Sequence, residues 1–509
     1  MIDFSELLNC TDLQAYVNDH ADDMADFSTD SFSDILAQRD AFEEFVSLNA
    51  DKITSLDYAF ETNKAFLSLL LDLSLALSLS SCFQDTYSWA SQYGITLGSR
   101  MEAAYAFMIE ARSDNEIYIA NFDRICQSLE DAIVHEDDDD KKAIATFISY
   151  YIEVLERNAY WIGQLRAQIT AKRDTYHFLS SDYIDRVMRV DTTDQLSAYQ
   201  SICDIRYELF NPIPALYIDV PDDLIEEGTE YARQISQLNE ITVPKIRTVA
   251  SRLVENPVPP EGRGVTPLRS YEELNAYLRS YGNMHYAKLK CALDAIPFEN
   301  VVDGYSRIDI VDWGCGQAIA TISLLRKLAQ FNIQHCNINL IEPSEICLKR
   351  ACLNVKESVR RIQENQHHFN DVKIKPICSG FDTLTADSFS IFDRSVLRIH
   401  LFSNVLDIEN YSLTHIEELI DRRFTGENLF ICTSPYINDT KAFRVNSFRR
   451  HFESNENYVL YTHLQNTNTD ADGFWMCNNK FNGYSCTSHF QNGCRNQWTR
   501  IINDFSAVI

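Results

Sequence analysis

Two short stretches of the chain combine residue types that can hold a nucleoside. The first, residues 308–321, contains Asp312-Trp-Gly314-Cys-Gly316, and the second ends at Glu342. Glycine permits turn angles that other residues avoid, and its missing Cβ lets a backbone pass close to a ligand. A carboxylate after the next strand can accept two hydrogen bonds from a ribose diol. The spacing therefore predicts a nucleoside-containing cofactor on Gly314, Gly316 and Glu342, with Asp312 accepting from loop amides or a ligand ammonium.

These residues can meet only if a strand, a turn, a helix and a second strand follow one another. An apolar run precedes Asp312, an Ala/Ile/Leu-rich helical pattern follows Gly316, and a second apolar run leads to Glu342. The dinucleotide fingerprint needs a third glycine three residues after the second, for helix–strand packing and the pyrophosphate. That position is Ile319, so the turn departs from the NAD pattern.

The layout resembles motif I and the acidic motif II of the class I S-adenosylmethionine-dependent methyltransferase superfamily. The resemblance covers roughly residues 265–509. It implies an α/β Rossmann-like, seven-stranded domain, S-adenosyl-L-methionine as the cofactor, and methyl transfer to an acceptor that is a protein, an RNA or a small molecule. We predict strands near residues 308–312, 338–342, 373–378, 396–403, 428–433, 457–463 and 499–509, with helices after the first five and a terminal hairpin from the last two.

Further site residues follow from where ligands lie in such sheets, at the carboxyl ends of the strands. After the third strand, the resemblance implies that Phe381 stacks on the adenine and that Asp382 accepts from its amine. After the fourth strand, Ser403 adds to the cofactor site, Asn404 orients the acceptor and His400 acts as base. Strand alternation also allows His400 to point inward as a core histidine.

Residues 1–255 predict a different kind of domain. They show apolar residues at helical spacing, almost no glycine, and 46 acidic against 19 basic residues, whereas residues 256–509 hold 28 and 26. We predict an acidic α-helical domain, either one array or two sub-bundles split near 135–141. The Pro/Gly-rich residues 256–267 read as a linker, and 268–509 as the methyltransferase-like domain. The acidic surface disfavours naked nucleic acid and suits solvation or a basic protein partner.

Several interpretations stay open. Tyr281–Lys288 is either a lid over the cofactor or a packing helix. Ser434-Pro-Tyr436 follows the fifth predicted strand and reads as a turn, not as the two-proline loop that enzymes methylating amino groups of nucleic acids carry after the fourth strand. This disfavours methylation of DNA bases. Cys486, His489 and Cys494 are either part of a zinc knuckle or free residues of a loop, and no metal is assigned.

The apolar run Phe66–Cys82 predicts a buried helix and no membrane span, and the 14 cysteines indicate a reducing, cytoplasmic setting. The alternatives to a methyltransferase are an inactive methyltransferase-like scaffold acting through its acidic half, and another nucleotide-binding enzyme on the same fold.

Overall fold

The structure is a computed structural model of the 509-residue chain. It describes residues 2–27, 32–113, 115–135, 140–157, 160–210, 216–254, 265–366, 369–392, 396–434, 439–455, 457–465, 480–481, 484–485 and 503–508. Contacts group the chain into two compact units, one of Met1–Ile213 with Ile437–Arg444 and one of Pro214–Tyr436 with Val445–Ile509. We call them the helical unit and the sheet unit.

Most of the described residues are helical. In chain order the α-helices are α1 Phe4–Leu8, α2 Leu13–Asp19, α3 Ala21–Asp26, α4 Phe32–Ala37, α5 Arg39–Leu48, α6 Ala50–Thr54, α7 Glu61–Ala76, α8 Ser80–Gln92, α9 Ser99–Met108, α10 Asn115–Ala120, α11 Phe122–His135, α12 Asp140–Arg157, α13 Tyr160–Lys172, α14 Asp182–Arg189, α15 Gln195–Glu208, α16 Glu230–Ile235, α17 Val243–Arg252, α18 Tyr271–Ala295, α19 Phe298–Val301, α20 Ile319–Leu328, α21 Glu345–Gln366, α22 Leu413–Arg423 and α23 Asp439–Glu453. Helices α1 to α15 lie in the helical unit.

The strands all belong to the sheet unit. They are β1 Tyr217–Ile218, β2 Arg307–Trp313, β3 His335–Ile341, β4 Asp371–Ser379, β5 Leu397–Ser403, β6 Asn428–Thr433, β7 Val459–Gln465, β8 Lys480–Phe481, β9 Tyr484–Ser485 and β10 Asn503–Val508. The large sheet has the order β1-β4-β3-β2-β5-β6-β10-β7, and β8 pairs with β9.

The order of the strands creates a switch point beside β2. Strands β4, β3, β2, β5 and β6 are parallel, and β10 runs antiparallel to both β6 and β7. From β2 the chain builds outward to β3 and β4 on one side, then returns to build β5 and β6 on the other. Open α/β sheets bind ligands at the carboxyl ends of the strands at such a reversal. The residues that follow β2, β3 and β5 therefore form the candidate site.

The coarse prediction of a helix-rich α/β protein with a mostly parallel sheet is confirmed, and all seven predicted strands are present. Two details differ. β4 is followed by two 3₁₀ turns, Phe381–Thr383 and Ala386–Ser388, instead of an α-helix, and β1 adds an unpredicted antiparallel edge next to β4.

Alternate residues of the central strands contact two different layers, as the two-residue period of a strand requires. One face is aliphatic: Ile310, Ile399 and Ile431 share a core with leucines and isoleucines of α20 and α21. The other face is aromatic and includes Trp313 on β2 and Phe402 on β5, whose rings stack 5.4 Å apart. This alternation decides which strand residues can reach a ligand.

The boundary between the units lies near residue 213, before the Pro/Gly-rich 256–267 that we predicted as the linker, of which 256–264 lie outside the described residues. Segment 216–254 packs into the aliphatic core of the sheet. A fully buried ion pair fixes it there: Arg350 Nε and Nη2 lie 2.7 and 3.0 Å from the two carboxylate oxygens of Glu226.

Two further groups complete the surroundings of the buried Arg350. Its Nη1 donates to Asn275 on α18 at 2.7 Å, and its guanidinium lies 3.8 Å from the Tyr231 ring centroid. A buried charge is tolerated when it is paired and hydrogen-bonded in this way. The composition of the linker gave no sign of this long-range pair.

In the helical unit, the apolar run Phe66–Cys82 is buried as predicted, but it spans parts of two helices. α7 ends at Ala76, Ser78 has a left-handed φ of 55°, and α8 begins at Ser80. The buried Arg206 donates to the Ala76 carbonyl and, at 2.7 Å, to Ser78 Oγ, which satisfies the end of α7. Across the described ranges, no helix is both long and apolar enough to cross a bilayer.

Candidate functional site

The turn between β2 and α20 has an unusual backbone. Gly314, Gly316 and Ala318 have φ values of 65°, 49° and 62°, so three alternate residues are left-handed. The amide of Cys315 between them donates to the Ile341 carbonyl at 2.8 Å, which joins the turn to the end of β3. Left-handed geometry is unfavourable for residues with a Cβ. The two glycines therefore follow this path without the strain that Ala318, which carries a Cβ, has at a similar φ.

The two glycines face different surroundings. A Cβ on Gly314 would lie 2.6 Å from Val405 Cγ1 and 3.4 Å from Phe381 Cζ. A Cβ on Gly316 would meet nothing within 4 Å. Gly314 is thus required for packing against the chain that follows β5. Gly316 is the position where the backbone borders open space and where a ligand can lie against it.

Glu342 directly follows β3 and points back to the turn. Its Oε2 accepts from the Gly316 amide at 3.1 Å, and its Oε1 accepts from the Ser344 amide at 3.0 Å. Burial raises the pKa of this carboxyl to about 7, although the hydrogen bonds from the two backbone amides oppose the rise. Each carboxylate oxygen has a second lone pair. Glu342 therefore holds the turn and can still accept from a diol beside Gly316.

Asp312, the last acidic residue of β2, is completely buried. Its Oδ2 accepts from the Thr321 hydroxyl at 2.6 Å and from the Thr321 amide at 3.3 Å, so it holds the first turn of α20. This differs from the predicted contacts with loop amides before the helix. Its Oδ1 is buried without a hydrogen-bond partner among the described residues. Burial raises the pKa of Asp312 to about 7.

The residues after β4 take two different positions. Phe381 lies beside Gly314 and packs edge-on against Tyr411, with ring centroids 4.6 Å apart. Asp382 is exposed, and its Oδ1 accepts from the Ser412 amide at 2.9 Å, just before α22. Phe381 is therefore next to the glycine turn, whereas Asp382 already serves the start of a helix. Stacking on adenine and bonding to its amine remain predictions for these two residues.

The end of β5 carries a set of linked polar groups. Asn404 has a left-handed φ of 58°, and its backbone N–H donates to the Thr433 carbonyl at 2.6 Å. Lys288 on α18 is 2% exposed and donates from Nζ to Asn404 Oδ1. Asn404 Nδ2 in turn donates to Ser403 Oγ at 3.2 Å. The sequence identified Asn404 and Ser403, but nothing in it showed that Lys288, 116 residues earlier, would reach them.

His400 is not placed to act as a base, which corrects one of the two alternatives for this residue. It lies on the aromatic face of β5 and has no exposed surface. Trp313 Nε1 donates to its Nδ1 at 3.2 Å, so its Nε2 is protonated and donates to Asn428 Oδ1 at 3.1 Å. Burial lowers the pKa of His400 to about 4. It is a neutral core histidine, as the strand alternation allowed.

Helix α18 covers the glycine turn and is itself firmly packed. Gln317 Nε2 donates to the Leu274 carbonyl of α18 at 2.8 Å, and Leu278 is fully buried. Tyr281 and His285 are half-buried, two turns and one turn respectively before Lys288 on the same face of the helix. The predicted lid segment is therefore part of a long packed helix that covers the site.

Two sequence predictions fall outside the described part of the chain. Ser434 is described and buried, but Pro435 and Tyr436 are not, so the predicted turn lies outside the described residues. Cys486, His489 and Cys494 also lie outside them.

Comparisons with known proteins add little to this geometry. No family model matches the chain, and no curated protein matches it. Among solved structures, the chain is similar to a crystal structure of SCL7 from Oryza sativa, at 15% sequence identity and a TM-score of 0.22. That similarity covers 45% of this chain and 70% of the other.

Proposed function

We propose that this protein is an S-adenosylmethionine-dependent methyltransferase whose cofactor lies against the turn after β2. The observation that carries the proposal is the contact between Glu342 and the Gly316 amide. It places a carboxylate beside the glycine of the turn whose Cβ position borders open space. A ribose diol there would donate to Glu342, while the nucleoside lies over Gly316.

The charges around the turn support a cationic cofactor over a phosphorylated one. Asp312 and Glu342 are two carboxyl groups close to the same turn, and Asp312 keeps a buried oxygen without a partner among the described residues. Phosphates would be repelled by such groups. S-adenosylmethionine carries a sulfonium and an ammonium and no phosphate. Ile319, where a dinucleotide site needs glycine, is buried at the start of α20.

The arrangement of the strands also supports the proposal. Seven strands, β4-β3-β2-β5-β6-β10-β7, include an antiparallel β10 inserted between β6 and β7. This order resembles the sheet of class I methyltransferases, with the terminal hairpin that they carry. The protein would then hold the cofactor at the ends of β2 and β3 and the acceptor near the end of β5.

The test is calorimetric titration of the full chain with S-adenosylmethionine and, separately, with NAD. Gly316→Val should abolish binding of S-adenosylmethionine, because the new side chain fills the space beside the turn. Gly304→Val is the matched control: Gly304 also has a positive φ, 80°, and open space around its Cβ, but it lies before β2 at the opposite edge of the sheet.

Both valine variants should lose similar stability, since both place a β-branched residue at a positive φ. Only Gly316→Val should lose the cofactor. Absence of S-adenosylmethionine binding by the unmodified protein, or equal binding by both variants, would refute the proposed site. Binding of NAD alone would favour another nucleotide-dependent enzyme.

A further inference from the structure

We propose that Asn404 and Ser403 form a subsite that binds a negatively charged oxygen of the methyl acceptor, in a carboxylate or a similar oxyanion. Lys288 fixes the orientation of the Asn404 side-chain amide in this subsite. This inference rests on the proposed methyltransferase function and names its substrate class. It starts from the hydrogen bonds at the end of β5, which determine which atoms of Asn404 can face a substrate.

The orientation of the Asn404 amide follows from the chemistry of its partner. A lysine ammonium has three donors and no acceptor, so the Asn404 atom that it contacts must be the carbonyl oxygen. The amide nitrogen is then the atom that donates to Ser403 Oγ. One hydrogen of Asn404 Nδ2 and the hydroxyl hydrogen of Ser403 have no partner among the described residues, and both side chains are half-buried.

The two hydrogens that remain available make this subsite a donor of hydrogen bonds. Such a set complements lone pairs, and an oxyanion accepts from amide and hydroxyl donors more strongly than a neutral oxygen does. An amine acceptor needs the reverse polarity, because its N–H groups must donate. Asn404 Oδ1, the side-chain oxygen that would accept them, already accepts from Lys288, so an incoming N–H group would have to share this oxygen with the lysine.

The same polarity removes the need for a base, which suits the burial of His400. When S-adenosylmethionine is bound, its C–S bond breaks as the C–O bond forms and the bonding electrons go to sulfur, so a sulfonium and an oxyanion become a neutral thioether and a neutral ester or ether. A carboxylate carries no proton to remove at neutral pH. The residues of this chain then have only to hold and align the oxygen.

The first test measures binding of benzoate to the full chain by saturation-transfer NMR, with and without S-adenosylhomocysteine, and uses benzylamine as the matched cation. Aromatic probes suit the site because Tyr281 and His285 share a face of α18 with Lys288. Asn404→Asp replaces the donor amide by an acceptor, keeps a partner for Lys288 and tolerates the left-handed φ. It should therefore fold normally.

We expect benzoate to bind the unmodified protein and Asn404→Asp to lose at least tenfold in benzoate affinity. Lys288→Met should also weaken benzoate, because Asn404 is then free to flip. Lys290→Met is the control, since Lys290 is exposed on the same helix and pairs with Asp294 at 2.5 Å. Preference for benzylamine, no binding of benzoate, or equal binding of benzoate by Asn404→Asp would overturn the subsite.

The second test follows methyl-labelled S-adenosylmethionine into acceptors from an extract of the source organism. Mild base releases the label from methyl esters, hot hydroiodic acid releases it from methyl ethers, and N-methyl groups survive both treatments. Label in oxygen linkages that falls at least tenfold in Asn404→Asp, with unchanged affinity for S-adenosylmethionine, supports the inference. Label in N-methyl groups overturns the inference alone. Failure to bind S-adenosylmethionine, or binding without any transfer, overturns the proposed function.

Discussion

The two sides of the switch point have opposite chemistry. The side made by the ends of β2 and β3 presents acceptors, the carboxyl groups of Asp312 and Glu342. The side made by the end of β5 presents donors, from Asn404 and Ser403, backed by Lys288. The difference matters for the proposed reaction, because methyl transfer from a sulfonium to an oxyanion would join a cation to an anion. Each side can hold one of the two charges until they combine.

The largest effect should come from a substitution where the two sides meet. Gly314→Ala places a methyl group 2.6 Å from Val405 Cγ1 at a φ of 65°. We expect a loss of about 2–5 kcal/mol in the free energy of unfolding, from left-handed strain and overpacking together. Gly316→Ala should lose only about 1–2 kcal/mol, since it has the strain without the clash. Urea denaturation measures both, and equal losses would contradict the close packing of the two sides.

The next effect separates the two sides functionally. Glu342→Gln removes a charged acceptor and should weaken S-adenosylmethionine binding by about 1.5–3 kcal/mol, the range for hydrogen bonds to charged groups. Asn404→Asp should leave that affinity within about threefold, or about 0.6 kcal/mol, because Asn404 belongs to the proposed methyl-acceptor subsite after β5 and not to the proposed cofactor site. Calorimetry on both variants checks this. A cofactor defect in Asn404→Asp as large as that in Glu342→Gln would show that the sides do not divide the substrates.

The side with the carboxyl groups, at the ends of β2 and β3, should also respond to pH. Burial raises the pKa of Glu342 above its ordinary value to about 7, and the proposed ribose diol would donate to the ionised form. Affinity should therefore be constant well above pH 7 and fall as pH decreases through 7, by about tenfold per pH unit for one proton. Binding of S-adenosylmethionine should release close to one proton near pH 6. Calorimetry in buffers of different ionisation enthalpy measures this release. Glu342→Gln should flatten the part of the curve due to Glu342.

The smallest effect concerns Asp382. Its described bond to the Ser412 amide is exposed, so Asp382→Ala should cost about 1 kcal/mol or less of stability. If Asp382 also accepts from the adenine amine, the variant should bind S-adenosylmethionine at least fivefold more weakly. Unchanged affinity in calorimetry would assign Asp382 to the start of α22 alone.

What the sequence revealed about the site depended on how local each signal was. The glycines, Glu342 and the seven strands are encoded in short runs, where glycine placement and alternating apolar residues carry the pattern. The contact between Lys288 and Asn404 joins residues 116 positions apart, and no short pattern encodes it. His400 shows an intermediate case: alternation named the buried orientation as one alternative, but only the packing of Trp313 and Asn428 around it decided the matter.

The compact units divide the chain at a different place from the predicted linker for a related reason. Proline and glycine between residues 256 and 267 describe local backbone preferences, whereas a boundary depends on which distant side chains are buried together. Leu224 and Tyr231 lie in the aliphatic core of the sheet unit, so the residues before the Pro/Gly-rich stretch belong with the residues after it.

The buried pair of Arg350 and Glu226 predicts what would happen if the chain were cut in the Pro/Gly-rich stretch. If a protease site were inserted at residues 255–264 and cut, the two polypeptides would still share the fully buried ion pair and its aliphatic surroundings. They should migrate as one species on a sizing column and separate only in denaturant. A C-terminal fragment expressed from residue 268 alone would keep Asn275 beside Arg350 but lose the carboxylate of Glu226. It should be insoluble until the missing piece, residues 214–254, is supplied as a second chain.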